Sequence, residues 1–152
     1  MKSPIISSVS KDSSGFTVIE IVVAIGITVM IFSMGIVVTF NFYKNNTLRA
    51  ERDLVVFILG KARNKAMDNA YALPHGVHIA QSDYTIFRGS TYIAGDPSNE
   101  IIPGNSAIQK SGLNEVVFSQ LSGDSNVENT ITLSNGPQTQ LISINNEGNI
   151  RW

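Results

Sequence analysis

Apolar and polar positions follow three successive patterns along the chain. From Ile21 to Tyr43, 23 residues pass without a charge. As a helix they would extend about 35 Å at ~1.5 Å per residue, enough for a bilayer core that takes ~20 apolar residues. After Lys44 the apolar positions narrow to a stripe. Leu48, Val55, Leu59, Ala62, Ala66 and Ala70 recur at steps of 3, 4 or 7, while Arg49, Arg52, Lys61, Arg63 and Lys65 lie mostly off it. No proline intervenes before Pro74, so the pattern predicts one helix from about Phe16 to Ala70. Its first half faces lipid or other helices and its second half packs on a head. Two helices broken at Asn45, Asn46 and Thr47 are the alternative, since these residues are poor helix formers and can cap a new start.

From Leu73 onward the pattern is that of short strands. "GVHIA", "YTIFR", "TYIA", "EVVFSQL", "NTITLS", "QLISIN" and "NIRW" are rich in β-branched and aromatic residues and are separated by Gly, Pro, Asn, Asp or Ser. "SNGPQT" and "NNEGN" read as turns because Gly136 and Gly148 can take positive φ. The last long strands are expected to form a hairpin that buries Ile131, Leu133, Leu141, Ile142 or Ile144 against the helix. Gly95 to Gly112 reads as a loop and as the surface best suited to a partner.

Composition narrows the classes. With 152 residues, 43% hydrophobic and 15% charged, the chain has room for one apolar segment and one small domain of 109 residues after Tyr43. The net charge of −1 points to neither a nucleic-acid binder nor an anionic-membrane binder. Its distribution is uneven: residues 44–70 sum to +3 and residues 71–152 to −4. Cysteine is absent, which excludes disulfides and thiolate metal sites.

Glu20 is the anomaly, a carboxylate one residue before the uncharged run. Within a membrane helix it would cost roughly 2.5 to 3.5 kcal/mol at mid-bilayer and would need a partner. The preceding "MKSPIISSVSKDSSG" is polar and unlike an ordinary secretory signal, whose apolar segment comes before the cleavage site. Basic residues do not settle the orientation of the span: Lys2 and Lys11 precede it, Lys44, Arg49 and Arg52 follow it closely, and taken alone the count weakly favours a head on the inside.

The motif "GFTVIE", Gly15 to Glu20, with its polar leader, Lys11 and the uncharged helix after it, resembles the processing site of type IV prepilins and type II secretion pseudopilins. The resemblance implies an α+β, pilin-like fold: one long N-terminal helix with a transmembrane first half, packed on an antiparallel β-sheet head. It divides the chain into a leader peptide at 1–15, a transmembrane and filament-core helix at 16–43, and a globular head at 44–152. A prepilin peptidase would cut between Gly15 and Phe16 and methylate the Phe16 amine. Glu20 would then meet the Phe16 amine of a neighbouring subunit and fix axial register.

By the same resemblance, the protein would sit in the cytoplasmic (inner) membrane as a single pass with its head outside, in lipid before assembly. It would then enter a pilus or pseudopilus. The implied partners are other pilin or pseudopilin subunits, the peptidase and an inner-membrane assembly platform. The order "LGKARNKAM", a "GVHI" strand and a closing "LISINNEGNIRW" is similar to the GspH/FimT group of minor pilins and pseudopilins, which help start or cap a filament. Major pilins often carry a proline where this chain has Val37, and a cysteine pair that it lacks. Gly26 and Gly35, nine residues apart, form no small-xxx-small motif. The implied function is therefore that of a minor structural subunit in protein secretion, adhesion or DNA uptake.

A membrane-tethered module that binds DNA or a surface ligand without polymerising is the competing reading. The acidic head argues against direct nucleic-acid contact, which would fall to Arg88, Lys110 and Arg151, the last beside Trp152. His75 and His78, three apart with no nearby carboxylate or cysteine, do not complete a metal site. Asp96 and Glu100 offer calcium only two acids in a loop. No cofactor, metal or catalytic residue is expected, and the protein is read as a peptidase substrate rather than an enzyme.

Overall fold

A computed structural model describes residues 15–152, with the side chains of residues 34–41 outside the description. Leader residues 1–14, with Lys2 and Lys11, and the side-chain readings at Gly35 and Val37, lie outside the described residues. The chain divides into two units, Met1–Phe40 and Asn41–Trp152.

Helix α1 runs Val18–Met67. Its described side chains form one stretch of 16 residues, 18–33, and another of 26 residues, 42–67. Among the described residues no helix is long and apolar enough to cross a membrane. The expected transmembrane first half is therefore corrected. Residues 42–67 stay helical through Asn45, Asn46 and Thr47, where a break was the alternative. The helix ends at Met67 rather than Ala70, because Asn69, Tyr71 and Ala72 turn to positive φ (54°, 60° and 54°) and form a short 3-10 turn.

In the first unit, residues 18–33 are exposed on every face, and Ile19, Val22, Ile25, Val29 and Phe32 all point away from any cover. Two hydroxyls are hidden within the helix itself: Thr28 Oγ1 donates to Ala24 O at 2.7 Å and Ser33 Oγ to Met30 O at 2.8 Å. What remains outward is almost wholly hydrocarbon.

The second unit packs helix residues 42–67 with two antiparallel sheets of four strands each, not the single sheet expected. The strands are β1 (His75–Ile79), β2 (Asp83–Arg88), β3 (Glu100–Pro103), β4 (Gln109–Gly112), β5 (Glu115–Phe118), β6 (Asn129–Asn135), β7 (Gln138–Ile144) and β8 (Ile150–Arg151). The first sheet has the order β3-β2-β1-β5 and the second β4-β6-β7-β8. "TYIA" is not a strand, and the expected 95–112 loop contains β3 and β4.

One core joins helix and sheets. Leu48, Val55, Ile58, Leu59, Ala62 and Ala66 pack with Val77, Ile86, Val116, Phe118, Ile131, Leu133, Ile142 and Ile144. Leu141 was a candidate for this core but is 59% exposed, because the β7 alternation that buries Ile142 and Ile144 turns it outward. β1 and β2 are buried on both faces. Tyr92, in the segment after β2, stacks on His78 at 4.1 Å and tilts against Phe87. The Phe87 ring in turn lies over Gly76, where a Cβ would stand 2.2 Å from it.

Candidate functional site

The sequence singles out the start of the helix, and local chemistry explains why it starts there. Thr17 precedes the first helical residue, Val18, and Glu20 is the third residue in. Glu20 N donates to Thr17 Oγ1 at 3.3 Å, and Thr17 N donates to Glu20 Oε2 at 3.4 Å. This reciprocal pair is a capping box, in which two helix-end amides find acceptors and an acid sits at the positive end of the helix dipole. It gives Glu20 a role in its own helix that the charge argument missed, although Thr-x-x-Glu is a visible signature for it. Phe16 is 79% exposed. Gly15 is exposed, and among the described residues a Cβ added to it would meet no atom within 4 Å. Phe16, Glu20, Ile21, Ala24, Ile25, Thr28 and Val29 line one open, mostly apolar groove along the helix.

The three basic residues nominated for nucleic acid are not brought together. Arg88 ends β2 in the first sheet, whereas Lys110 and Arg151 lie on opposite edge strands of the second. Arg88 is exposed, with its guanidinium 3.5 Å above the Tyr71 ring. Arg151 is exposed beside a polar pocket lined by Glu128, Asn129, Thr130, Ser143 and Asn149.

Lys110 is the correction. Its side chain is 4% exposed, with Nζ 3.3 Å from Glu51 Oε1, 3.0 Å from Gln81 O and 4.1 Å from the centre of the Tyr84 ring. The same carboxylate oxygen accepts from Tyr84 OH at 2.7 Å and from Asn105 N at 3.0 Å. Burial and the hydrogen bond to this carboxylate hold the Tyr84 phenol in its neutral form by raising its pKa. Lys110 is thus a buried structural cation, not a free one.

The histidines serve packing. His75 is buried, its Nδ1 donates to Leu73 O at 3.1 Å, and burial depresses its pKa. His78 stacks on Tyr92, with Nδ1 3.9 Å from Glu115. Glu100 is clamped by Lys61 and by Lys65 at 2.8 Å, and these bonds pull its pKa down. Asp96 caps its own turn, accepting from Ser98 N at 2.7 Å and from Ser98 Oγ at 2.6 Å. Among the described residues no group of three or more His, Asp or Glu side chains converges as metal ligands would.

No protein-family model matches the chain, and neither the curated proteins nor the solved structures contain a match to it.

Proposed function

We propose that the protein is a minor pilin- or pseudopilin-type structural subunit. On this reading it is cleaved after Gly15, N-methylated on Phe16 and assembled into a filament through residues 16–33. The observation that carries the proposal is a helix with hydrocarbon on every face that begins three residues after an accessible glycine. An apolar helix uncovered all round needs cover; in a filament, the same helices of other subunits supply it. Among the described residues no atom demands glycine at position 15, so its presence fits recognition from outside, as by a peptidase. Glu20 is the only charge on the 18–33 stretch and stands where the amine released at Phe16 would come close.

The partners on this reading are other subunits, the prepilin peptidase and an assembly platform. The buried Lys110 and the dispersed Arg88 and Arg151 favour this structural role over a nucleic-acid-binding module. N-terminal sequencing after co-expression with a prepilin peptidase tests the proposal. A chain that begins at N-methylated Phe16 supports it, and one that still begins at Met1 defeats it. Glu20→Ala should leave expression intact and abolish incorporation into filaments.

A further inference from the structure

The sheet edges are not protected alike. β3 ends on Pro103, and its Glu100 is held by Lys61 and Lys65. β5 is covered: Phe118 bridges Ser125, Asn126 N donates to Val117 O at 3.1 Å, and Val117 N donates to Asn126 Oδ1 at 2.9 Å. β4 is four residues long, with Lys110 within it. β7 differs, because β8 pairs only with its Ser143 and Ile144, leaving residues 138–142 without a neighbour on that side among the described residues.

Hydrogen-bond parity shows which groups are open. Leu113 N donates to Thr130 O and Asn145 N to Asn149 O. Even-numbered residues of β6 therefore face β4, even-numbered residues of β7 face β6, and odd-numbered residues of β7 face the β8 side. Ser143 meets Arg151 there. Thr139 and Leu141 turn an N–H and a C=O each to the same side and have no backbone partner there among the described residues. Natural edges are blunted by charge, proline, bulges or brevity. Residues 138–142, QTQLI, have no charge and no proline, and the β6–β7 register runs unbroken over seven pairs.

We propose that this edge pairs with the same edge of a second copy, antiparallel across a two-fold axis. Thr139 lies opposite Leu141 of the second copy, and Gln140 lies opposite its equivalent. Charge selects the occupant: in a self-complementary interface a charged residue near the axis confronts its like; this segment has none, and the Arg52 guanidinium that donates to Gln140 Oε1 at 3.2 Å is neutralised by Asp53 at 2.7 Å. The register centred on Gln140 satisfies all four open groups of each edge. β8 pairs no further along β7 than Ser143, opposite Arg151, and the three positions that the register needs, Thr139, Gln140 and Leu141, lie beyond that pair.

The native chain has no cysteine, so introduced ones report cleanly. A non-hydrogen-bonded antiparallel pair has its Cα atoms ~4.5 Å apart, within disulfide range. Full-length protein carrying Gln140→Cys, in detergent micelles under mild oxidation, is expected to form a disulfide dimer at least tenfold faster than Glu147→Cys, an exposed control. The doubly substituted Thr139→Cys, Leu141→Cys chain should cross-link as well, which decides the matter should loss of the Gln140 side chain disturb folding. Thr139→Pro, added to Gln140→Cys, removes an N–H that faces the open side, not β6, and should abolish the first of these two cross-links with the circular dichroism unchanged. Adding Glu20→Ala should leave them intact, which separates this interface from filament assembly through the helix. Cross-linking no faster than the control, or undiminished by Thr139→Pro, overturns the proposal.

Discussion

The Lys110 ammonium stands 3.3 Å from the Glu51 carboxylate, and their side chains are only 4% and 6% exposed. The pair ties β4 to the helix, and Tyr84 and Asn105 complete the carboxylate's hydrogen bonds. Removing one partner leaves the other charge buried alone, which typically costs about 3–5 kcal/mol, whereas replacing both with apolar residues of similar size is often near neutral. Glu51→Ala should therefore lower the unfolding free energy by about that amount, and Glu51→Leu with Lys110→Met by much less. Urea unfolding followed by circular dichroism measures both. Equal losses from the two variants would show that the pair does not act as a unit.

This pair also marks where sequence reading reached and where it stopped. The stripe Leu48, Val55, Leu59, Ala62 and Ala66 was legible from 3.6-residue periodicity and is buried. Glu51 lies on that stripe, three residues after Leu48 and four before Val55, and counting it only as a charge hid its burial. Lys110 sits in a polar stretch and looks free, because its partner is 59 positions away and the contact arises only when two sheets close on the helix. The β6–β7 hairpin was legible from alternation and "NGPQ", with Gly136 at φ 67°. Whether the strands form one sheet or two was not, since local pattern carries no record of which edges meet. At the helix start the glycine, the aromatic and the acid were all visible; the Thr17–Glu20 cap was missed because Glu20 was considered only as a charge in need of a counter-ion.

Two loops are fastened to the helix by one side chain. Arg63 donates from Nε to Gly123 O at 3.2 Å and from Nη2 to Glu147 O at 3.0 Å. Gly148, at φ 71°, has no room for a Cβ, which would stand 2.0 Å from Gly123 O and 2.9 Å from Arg63 Nε. Gly148→Ala combines a left-handed backbone with a steric clash and should cost about 2–4 kcal/mol. Arg63→Ala loses two charge-assisted bonds and should cost about 1–3 kcal/mol. Gly136→Ala, where the added methyl meets no atom within 4 Å, should suffer only the backbone term. Thermal unfolding of the three variants should rank Gly148→Ala as more damaging than Gly136→Ala.

Nucleic-acid retention should be weak and insensitive to the exposed arginines. Arg88 is engaged over Tyr71 and Arg151 lies on a separate sheet, so these two do not form a continuous basic track that would release counter-ions together. The Arg88→Ala, Arg151→Ala double variant of the full-length protein should change DNA retention by less than about twofold, with little salt dependence. A loss of about tenfold or more, steepening at low salt, would restore the binding-module reading.

Stability should fall as the medium is acidified through mildly acidic pH, and His75 is a cause. Burial first, then the Lys65 and Arg88 charges, lower its pKa from 6.5, against the opposing hydrogen bond to Leu73. In the unfolded chain the imidazole takes up a proton near 6.5, while the folded state resists it. Below that pH the unfolded state binds more protons, so unfolding becomes easier. The stabilising term is therefore fully present above about 6.5 and declines as pH falls towards the folded pKa. Glu100 has the same sign lower down: Lys61 and Lys65 depress its pKa from 4.5, so its contribution is lost only below that value. Urea midpoints at pH 7.5 and 5.0 resolve the histidine window. His75→Gln should lower the pH 7.5 midpoint and flatten the drop between the two pH values. A drop as steep as that of the unaltered chain would assign the pH dependence to other groups.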